Sequence, residues 1–271
     1  MKIYFFCPRW GAEHIPWKEF CRQVSSAGYS GIESPIPVDN PERDEMKNSL
    51  EQYGLLFIGQ YYQSFEKDFQ THLLNYKQHL QHMQGLNCVL IDSQTGKDYF
   101  STEQNIELFQ AAETFSLENG ITVAHETHRN KALYAAHRFG ELATDFPTLK
   151  ITADFSHWCC VSESLLEQQP DVMELAISKT VHIHARVGNE ESPQVADPRA
   201  PEFERAFAAH LHWWDKIVLQ RQEQGNAQVT ITPEFGPPPY MPNIPFTKTP
   251  VANQWELNLF MMECLKKRYN C

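Results

Sequence analysis

The 271-residue chain has no uninterrupted run of about 18 apolar residues, the length a helix needs to cross a bilayer, so no membrane span is expected. The opening MKIYFFCPRWG carries one Lys and a short apolar run, without the length or small-residue cleavage site of a secretory signal. No CxxC pair occurs among the seven cysteines Cys7, Cys21, Cys88, Cys159, Cys160, Cys264 and Cys271, which leaves a zinc knuckle or a thioredoxin-type site unsupported. An odd, scattered set reads most simply as reduced thiols, and hence as a cytoplasmic protein. A glycine-rich phosphate cradle is missing, and "HETH" (125–128) is not the HExxH of a zinc protease. Basic residues are scarce as well: 23 against 34 acidic ones, a net charge of −11. Gripping a phosphate backbone calls for a basic face, so nucleic acid is not the expected partner.

What is present is an ample supply of core-forming side chains, 42% hydrophobic and 12% aromatic. Short β-type runs alternate with helical patterns along the whole chain. The expected strands are 2–6, 31–34, 55–61, 87–91, 121–126, 149–154, 180–185 and 228–234. The expected helices are 17–27, 41–53, 66–84, 102–119, 130–143, 163–178, 201–224 and 253–269. Ser101 with Gln104 three residues later forms a capping-box pattern, and Pro201 and Gly225 suit the two ends of the long helix between them. Eight β–α units in this length indicate an α/β (β/α)8 TIM barrel, with an open doubly wound sheet as the alternative. No linker, low-complexity tract or short repeat divides residues 1–271, so a single domain is expected.

Two connections are long. One runs from about 186 to 200. The other, GPPPYMPNIPFTKTP (236–250), holds six of the 17 prolines. Both leave the C-terminal ends of strands, where barrel enzymes build their sites. Proline fixes φ, so the second connection is semi-rigid, fit to wall a pocket, form a subunit contact or simply cover the surface.

Polar residues gather at the same ends. Strand five ends in Glu126, strand six in Asp154, strand eight in Glu234, and strand seven carries His184 near its end. Side chains i and i+2 share a face. Glu126 is then paired with Ala124, Asp154 with Thr152 and Glu234 with Thr232, small residues that suit a barrel interior. The bulky Val123, Ile151 and Ile231 face the helices, and His125 points outward with them. A strand-end acid taken singly often just caps the next helix. Four consecutive strands offering Glu, Asp, His and Glu to one point are different, because buried carboxylates are costly unless paired or metal-bound. Three oxygen ligands and one imidazole favour Mn²⁺, with Mg²⁺, Co²⁺ or Zn²⁺ as alternatives. In "VHIHARVG" (181–188), alternation puts His182, His184 and Arg186 on one face. His182 falls one layer below His184, as a supporting histidine. Arg186 lies at the mouth, where its planar fork suits substrate oxygens. His157, three residues past Asp154, faces the same pocket or packs beside Trp158. His128, Arg129, Trp10 and Lys97 are further candidates for touching substrate, and Glu33 and Gln60 are weaker ones.

The chain resembles the xylose isomerase-like barrel superfamily in "GYSGIE" (28–33), "ITVAHE" (121–126), "DFSH" (154–157), "HIHARVG" (182–188) and "TPEFG" (232–236). The eight-unit order extends the resemblance over nearly the whole chain. It implies a metal-dependent sugar isomerase or epimerase of the ketose 3-epimerase or hydroxypyruvate isomerase kind. By that resemblance Glu126 and Glu234 are the acid–base pair and metal ligands, Asp154 and His184 complete the metal site, and His157 contacts a substrate hydroxyl. It also implies a small carbohydrate substrate and a homodimer or homotetramer. Two features depart from the epimerases: Ala132 stands where another glutamate is usual, and Arg186 lies only two residues beyond His184. The substrate end is therefore rebuilt. A lyase or dehydratase resembling inosose dehydratase is the runner-up on the same metal site, and an endonuclease IV-like phosphodiesterase is a more distant alternative.

Overall fold

In the computed structural model, which describes residues 1–271, eight parallel strands close into a barrel in chain order. The strands are β1 (Lys2–Pro8), β2 (Gly31–Ser34), β3 (Leu56–Tyr61), β4 (Cys88–Ser93), β5 (Val123–Glu126), β6 (Ile151–Ala153), β7 (Thr180–His184) and β8 (Gln228–Thr232). β1 pairs with β8 from Lys2↔Gln228 to Phe5↔Ile231, which closes the sheet and rules out the open alternative. The helices are α1 (Trp17–Ser26), α2 (Asn40–Tyr53), α3 (Phe69–His82), α4 (Thr102–Asn119), α5 (Ala136–Asp145), α6 (Phe155–Ser162), α7 (Pro170–Lys179), α8 (Glu204–Glu223) and α9 (Gln254–Tyr269). A two-stranded hairpin of β9 (Asn243–Ile244) and β10 (Thr249–Pro250) lies within the proline-rich connection.

Local signals account for most boundaries. Asp39 and Asp68 cap α2 and α3 by accepting from backbone N–H groups, and Ser101 with Gln104 forms the expected capping box on α4. Three expectations shift. Pro201 opens a short 3₁₀ turn, Pro201–Phe203, ahead of α8 rather than opening α8 itself. The helix expected over 130–143 begins only at Ala136, because Ala132 N–H donates to the Thr95 carbonyl at 3.0 Å and ties the preceding residues to the neighbouring loop. Strand six stops at Ala153, and Asp154 caps α6, its Oδ1 accepting from Ser156 N–H at 3.2 Å. A helix thus starts where a loop was expected, and the expected 163–178 helix is reduced to α7.

The barrel interior is graded. Phe6, Ile58, Leu90 and Ala124 form an apolar cluster, whereas Glu33, Asp92, Glu126, His182, His184 and Thr232 form a buried polar set. A larger cluster of 48 buried residues, including Trp17, Phe109, Trp158 and Trp214, seals helices against strands. All seven cysteines are free, and no helix is long and apolar enough to cross a membrane.

Candidate metal centre and pocket

Glu126 is the last residue of β5 and His184 the last of β7; Asp154 follows β6 directly and Glu234 lies two residues past β8. Each of these four fully or almost fully buried groups offers one ligand atom, and the four atoms lie within 4.8 Å of one another. His184 Nδ1 is 3.0 Å from Glu234 Oε2 and 3.6 Å from Glu126 Oε1. Neither Glu126 oxygen has a hydrogen-bond partner, and neither does His184 Nδ1. Buried polar atoms normally find partners, so these are placed for a ligand the protein does not itself supply. Three carboxylates and one imidazole form a donor set that could hold a divalent cation.

Beneath them, Glu33 gathers a closed network. It accepts from His184 Nε2 at 3.0 Å and from His182 Nε2 at 3.2 Å, and Thr232 Oγ1 donates to it. The other His182 nitrogen meets Thr230 Oγ1 at 2.7 Å. His182 thus lies one layer below the His184 end of the strand, and Glu33 bridges the two rings. Burial opposes ionisation of Glu33, but the two histidines outweigh it and hold its carboxyl well below the usual range. Burial likewise opposes protonation of His184, and the surrounding Glu234, Glu33 and Asp92 outweigh it and push the imidazole upward. Asp92 on β4 is wholly buried, and neither of its oxygens has a partner; burial and then the Glu126 charge drive its carboxyl well up. Asp92 escaped the sequence reading because strand four appeared to end at Ile91. A strand-end acid in "VLID" was the available signal.

Arg186 reaches deeper than the rim position expected of it. It is 1% exposed, its Nη2 donates to Asp154 Oδ2, and its Nη1 lies 3.5 Å from Glu234 Oε2. The same Nη2 is 2.7 Å from His157 Nε2. Burial raises the Asp154 carboxyl to about 6, with Arg186 pulling the other way. His157 packs against His128 with ring centroids 3.9 Å apart and planes tilted by 48°. Its Nδ1 is unpartnered, but it stands behind the pocket wall rather than lining it.

The pocket above this centre is a cavity of about 320 Å³, whose lining includes Trp10, Gln60, Glu126, His128, Arg186 and Tyr240. That is near the low end of small-molecule sites, which run from roughly 300 to 1,000 Å³, and suits one sugar-sized unit. Tyr240, missed by the sequence reading, comes from the proline-rich connection. Its hydroxyl is 3.3 Å from His128 Nε2, its ring meets Trp10 edge-on at 5.0 Å, and the Arg186 guanidinium lies 4.9 Å from its centroid. Gly236 begins that connection, and a Cβ there would strike the Trp10 ring at 2.2 Å, so only glycine admits the contact. His125 points outward, onto Phe109 and Thr95. Lys97 is buried but does not line the cavity.

Against known structures, this chain is similar to the 3-keto-D-glucoside 4-epimerase YcjR of E. coli (12% identity, TM-score 0.63, covering 98% of this chain and 100% of that one). It is similar also to the probable 3-DHS dehydratase AsbF of Bacillus anthracis (18%, TM-score 0.60, 98% and 100%). A third similar structure is endonuclease IV of Thermus thermophilus (11%, TM-score 0.59, 98% and 98%). The fold is that of the xylose isomerase-like barrels. No protein-family model and no curated sequence matches the chain. At these identities the xylose isomerase-like likeness concerns the fold, and chemistry has to be argued from the side chains.

Proposed function

We propose that the chain is a metal-dependent sugar isomerase or epimerase of the cytoplasm, acting on a small keto-sugar or keto-polyol. The observation that carries this reading is the convergence of Glu126, Asp154, His184 and Glu234, with both Glu126 oxygens and His184 Nδ1 unpartnered. Those four residues would hold a divalent ion, Mn²⁺ by preference, which when bound polarises a carbonyl and an adjacent hydroxyl oxygen. One glutamate takes the proton from the carbon beside the carbonyl, and the other returns it from the opposite face. Gln60 Nε2, 3.5 Å from Glu234 Oε1, steadies the second carboxylate. Trp10 and Tyr240 supply aromatic walls for a sugar ring, and the pocket's volume accommodates one such ring. Seven unpaired thiols suit a reducing compartment.

One observation favours a lyase as the second reading. The Tyr240 hydroxyl, paired with His128 at the cavity wall, is a donor placed to accompany a departing hydroxyl. The dehydratase AsbF shares the fold. Phosphodiester cleavage is disfavoured by the net charge of −11, which opposes approach of a polyanionic strand.

The test is an incubation with Mn²⁺ and a panel of free keto-sugars and keto-polyols in D₂O, followed by NMR. Deuterium at the carbon beside the carbonyl with unchanged composition identifies an isomerase or epimerase; loss of water identifies the lyase. Failure to take up one equivalent of Mn²⁺ would remove both readings.

A further inference from the structure

The cavity wall changes character along its depth. Gln60, Glu126, Arg186 and Glu234 at its floor are buried, whereas Glu13 and Tyr62 at its mouth are exposed and Gln94 is half-buried. Tyr62 owes its place to strand alternation. Gln60 turns into the barrel, 3.5 Å from Glu234 Oε1, and Tyr61 turns outward onto Tyr76, with ring centroids 4.9 Å apart. Past the end of β3 the pairing continues, Gln94 N–H donating to the Tyr61 carbonyl at 2.8 Å, so Tyr62 returns to the Gln60 side. Two residues of strand rise about 7 Å, which sets Tyr62 further out than Gln60 by roughly the length of a sugar ring. Phe65 adds a second ring, 6.2 Å from that of Tyr62 with planes 73° apart. Tyr62 is 41% exposed and Phe65 68%. Of the 17 phenylalanines only Phe65 and Phe246 are exposed, so a phenylalanine left in water against a cavity-lining ring stands out. The loop that carries the two rings is pinned. Ser64, between them, is fully buried, and its hydroxyl accepts from Nζ of Lys131, itself buried in the loop after β5. Ser64 N–H donates to the Tyr62 carbonyl at 2.8 Å, and Phe65 N–H to the Gln63 carbonyl at 3.1 Å. Two apolar rings kept together in water beside a concave site are a surface that binding covers.

We propose that Tyr62 and Phe65 form an outer subsite for a second ring, which makes the substrate a ring-bearing glycoside of the unit seated in the cavity. A cavity of about 320 Å³ holds one sugar-sized unit, so whatever is joined to that unit leaves by the mouth, across Tyr62. An aromatic face takes the apolar face of a second pyranose or of an aryl group alike, by dispersion and by burial of carbon surface. Glu13 and Gln94, on the same stretch of wall, offer polar atoms to hydroxyls around the linkage. The two rings select what is attached and take no part in proton transfer. The identity of the inner unit rests on the function proposed above, whereas the outer subsite stands on the aromatic geometry alone.

The test is calorimetric titration of the EDTA-treated full-length protein with matched glycosides of glucose, galactose and xylose. Methyl is compared with phenyl, and methyl with glucosyl, in both anomers. In at least one pair the ring-bearing member should bind about tenfold more tightly than its methyl partner. Tyr62→Ala and Phe65→Ala should each cut that advantage to below about threefold. Tyr62→Phe keeps the ring, guards against a folding defect and should retain the advantage. Leu117→Ala, at an exposed position of α4, should change nothing. An advantage for phenyl alone assigns an aryl group to the subsite, and one for glucosyl assigns a second sugar; either supports it. Equal affinity within every pair, an advantage that survives both alanine substitutions, or no saturable binding of any ring-bearing glycoside overturns it. Binding is read without metal and without turnover. Failure here leaves the Mn²⁺ uptake and deuterium-exchange results standing, and their failure leaves this one standing.

Discussion

Two polar sets share the barrel interior and are built on opposite principles. Around Glu33 every principal contact is closed: both carboxylate oxygens are used, and both His182 nitrogens have partners. Around Glu126 the set is open: its two oxygens and the facing His184 nitrogen make no hydrogen bond. His184 belongs to both, with Nε2 in the closed set and Nδ1 in the open one. A satisfied buried network rigidifies a fold. An unsatisfied one lowers stability in the free protein and gains it back only when something binds. On the function proposed above, the lower set gives support and the upper set carries the chemistry.

Substitution should separate them. The largest expected effect is in the open set: Glu234→Gln and Glu126→Gln should each cost at least about a thousandfold in the deuterium-exchange rate, with melting temperature unchanged or raised, as for residues that trade stability for function. In the closed set, Glu33→Gln leaves two buried histidines short of a charge partner and should cost about 3–5 kcal/mol in urea unfolding. Near-equal stability there would erase the distinction. Third in size, Arg186→Met should tighten Mn²⁺ binding about tenfold by calorimetry, because it frees Asp154 and Glu234 from a competing cation; weaker binding would make the arginine a scaffold for the ligands instead. Tyr240→Phe should lower kcat/KM several-fold, the worth of one hydrogen bond of about 0.5–1.5 kcal/mol.

Much of the barrel was legible. Period-two runs ending in Glu126 and Glu234 were visible because the strand rule ties alternate residues to one face, and small partners such as Ala124 and Thr232 mark the lumen. Asp154 shows the limit of that logic: it caps α6 and also belongs to the group of four that could hold a metal, so the capping reading does not exclude the chemical one. Asp92 was lost to a strand boundary misplaced by two residues, which turned a lumen-facing acid into a loop residue. Tyr240 was not legible because its position follows from contacts between loops. The burial of Lys97 and Lys131 was equally hidden, since lysine is ordinarily an exposed residue and only the packing of three loops makes it otherwise.

Gly236 adds a consequence of its own. It is gripped by Gln194, whose side chain accepts from its N–H at 2.7 Å and donates to its carbonyl at 3.2 Å, and it is covered by Trp10. Gln254 at the start of α9 holds the Trp10 carbonyl at 2.7 Å. The two ends of the chain are therefore stapled over the seam between β1 and β8, and the staple is also the wall of the cavity. Partial opening of that seam would therefore dismantle the pocket without requiring the whole barrel to unfold. In a hydrogen-exchange experiment, the amides of Gly236 and its neighbours should report the loss of the binding-competent state at a lower free energy than those of β5 to β7.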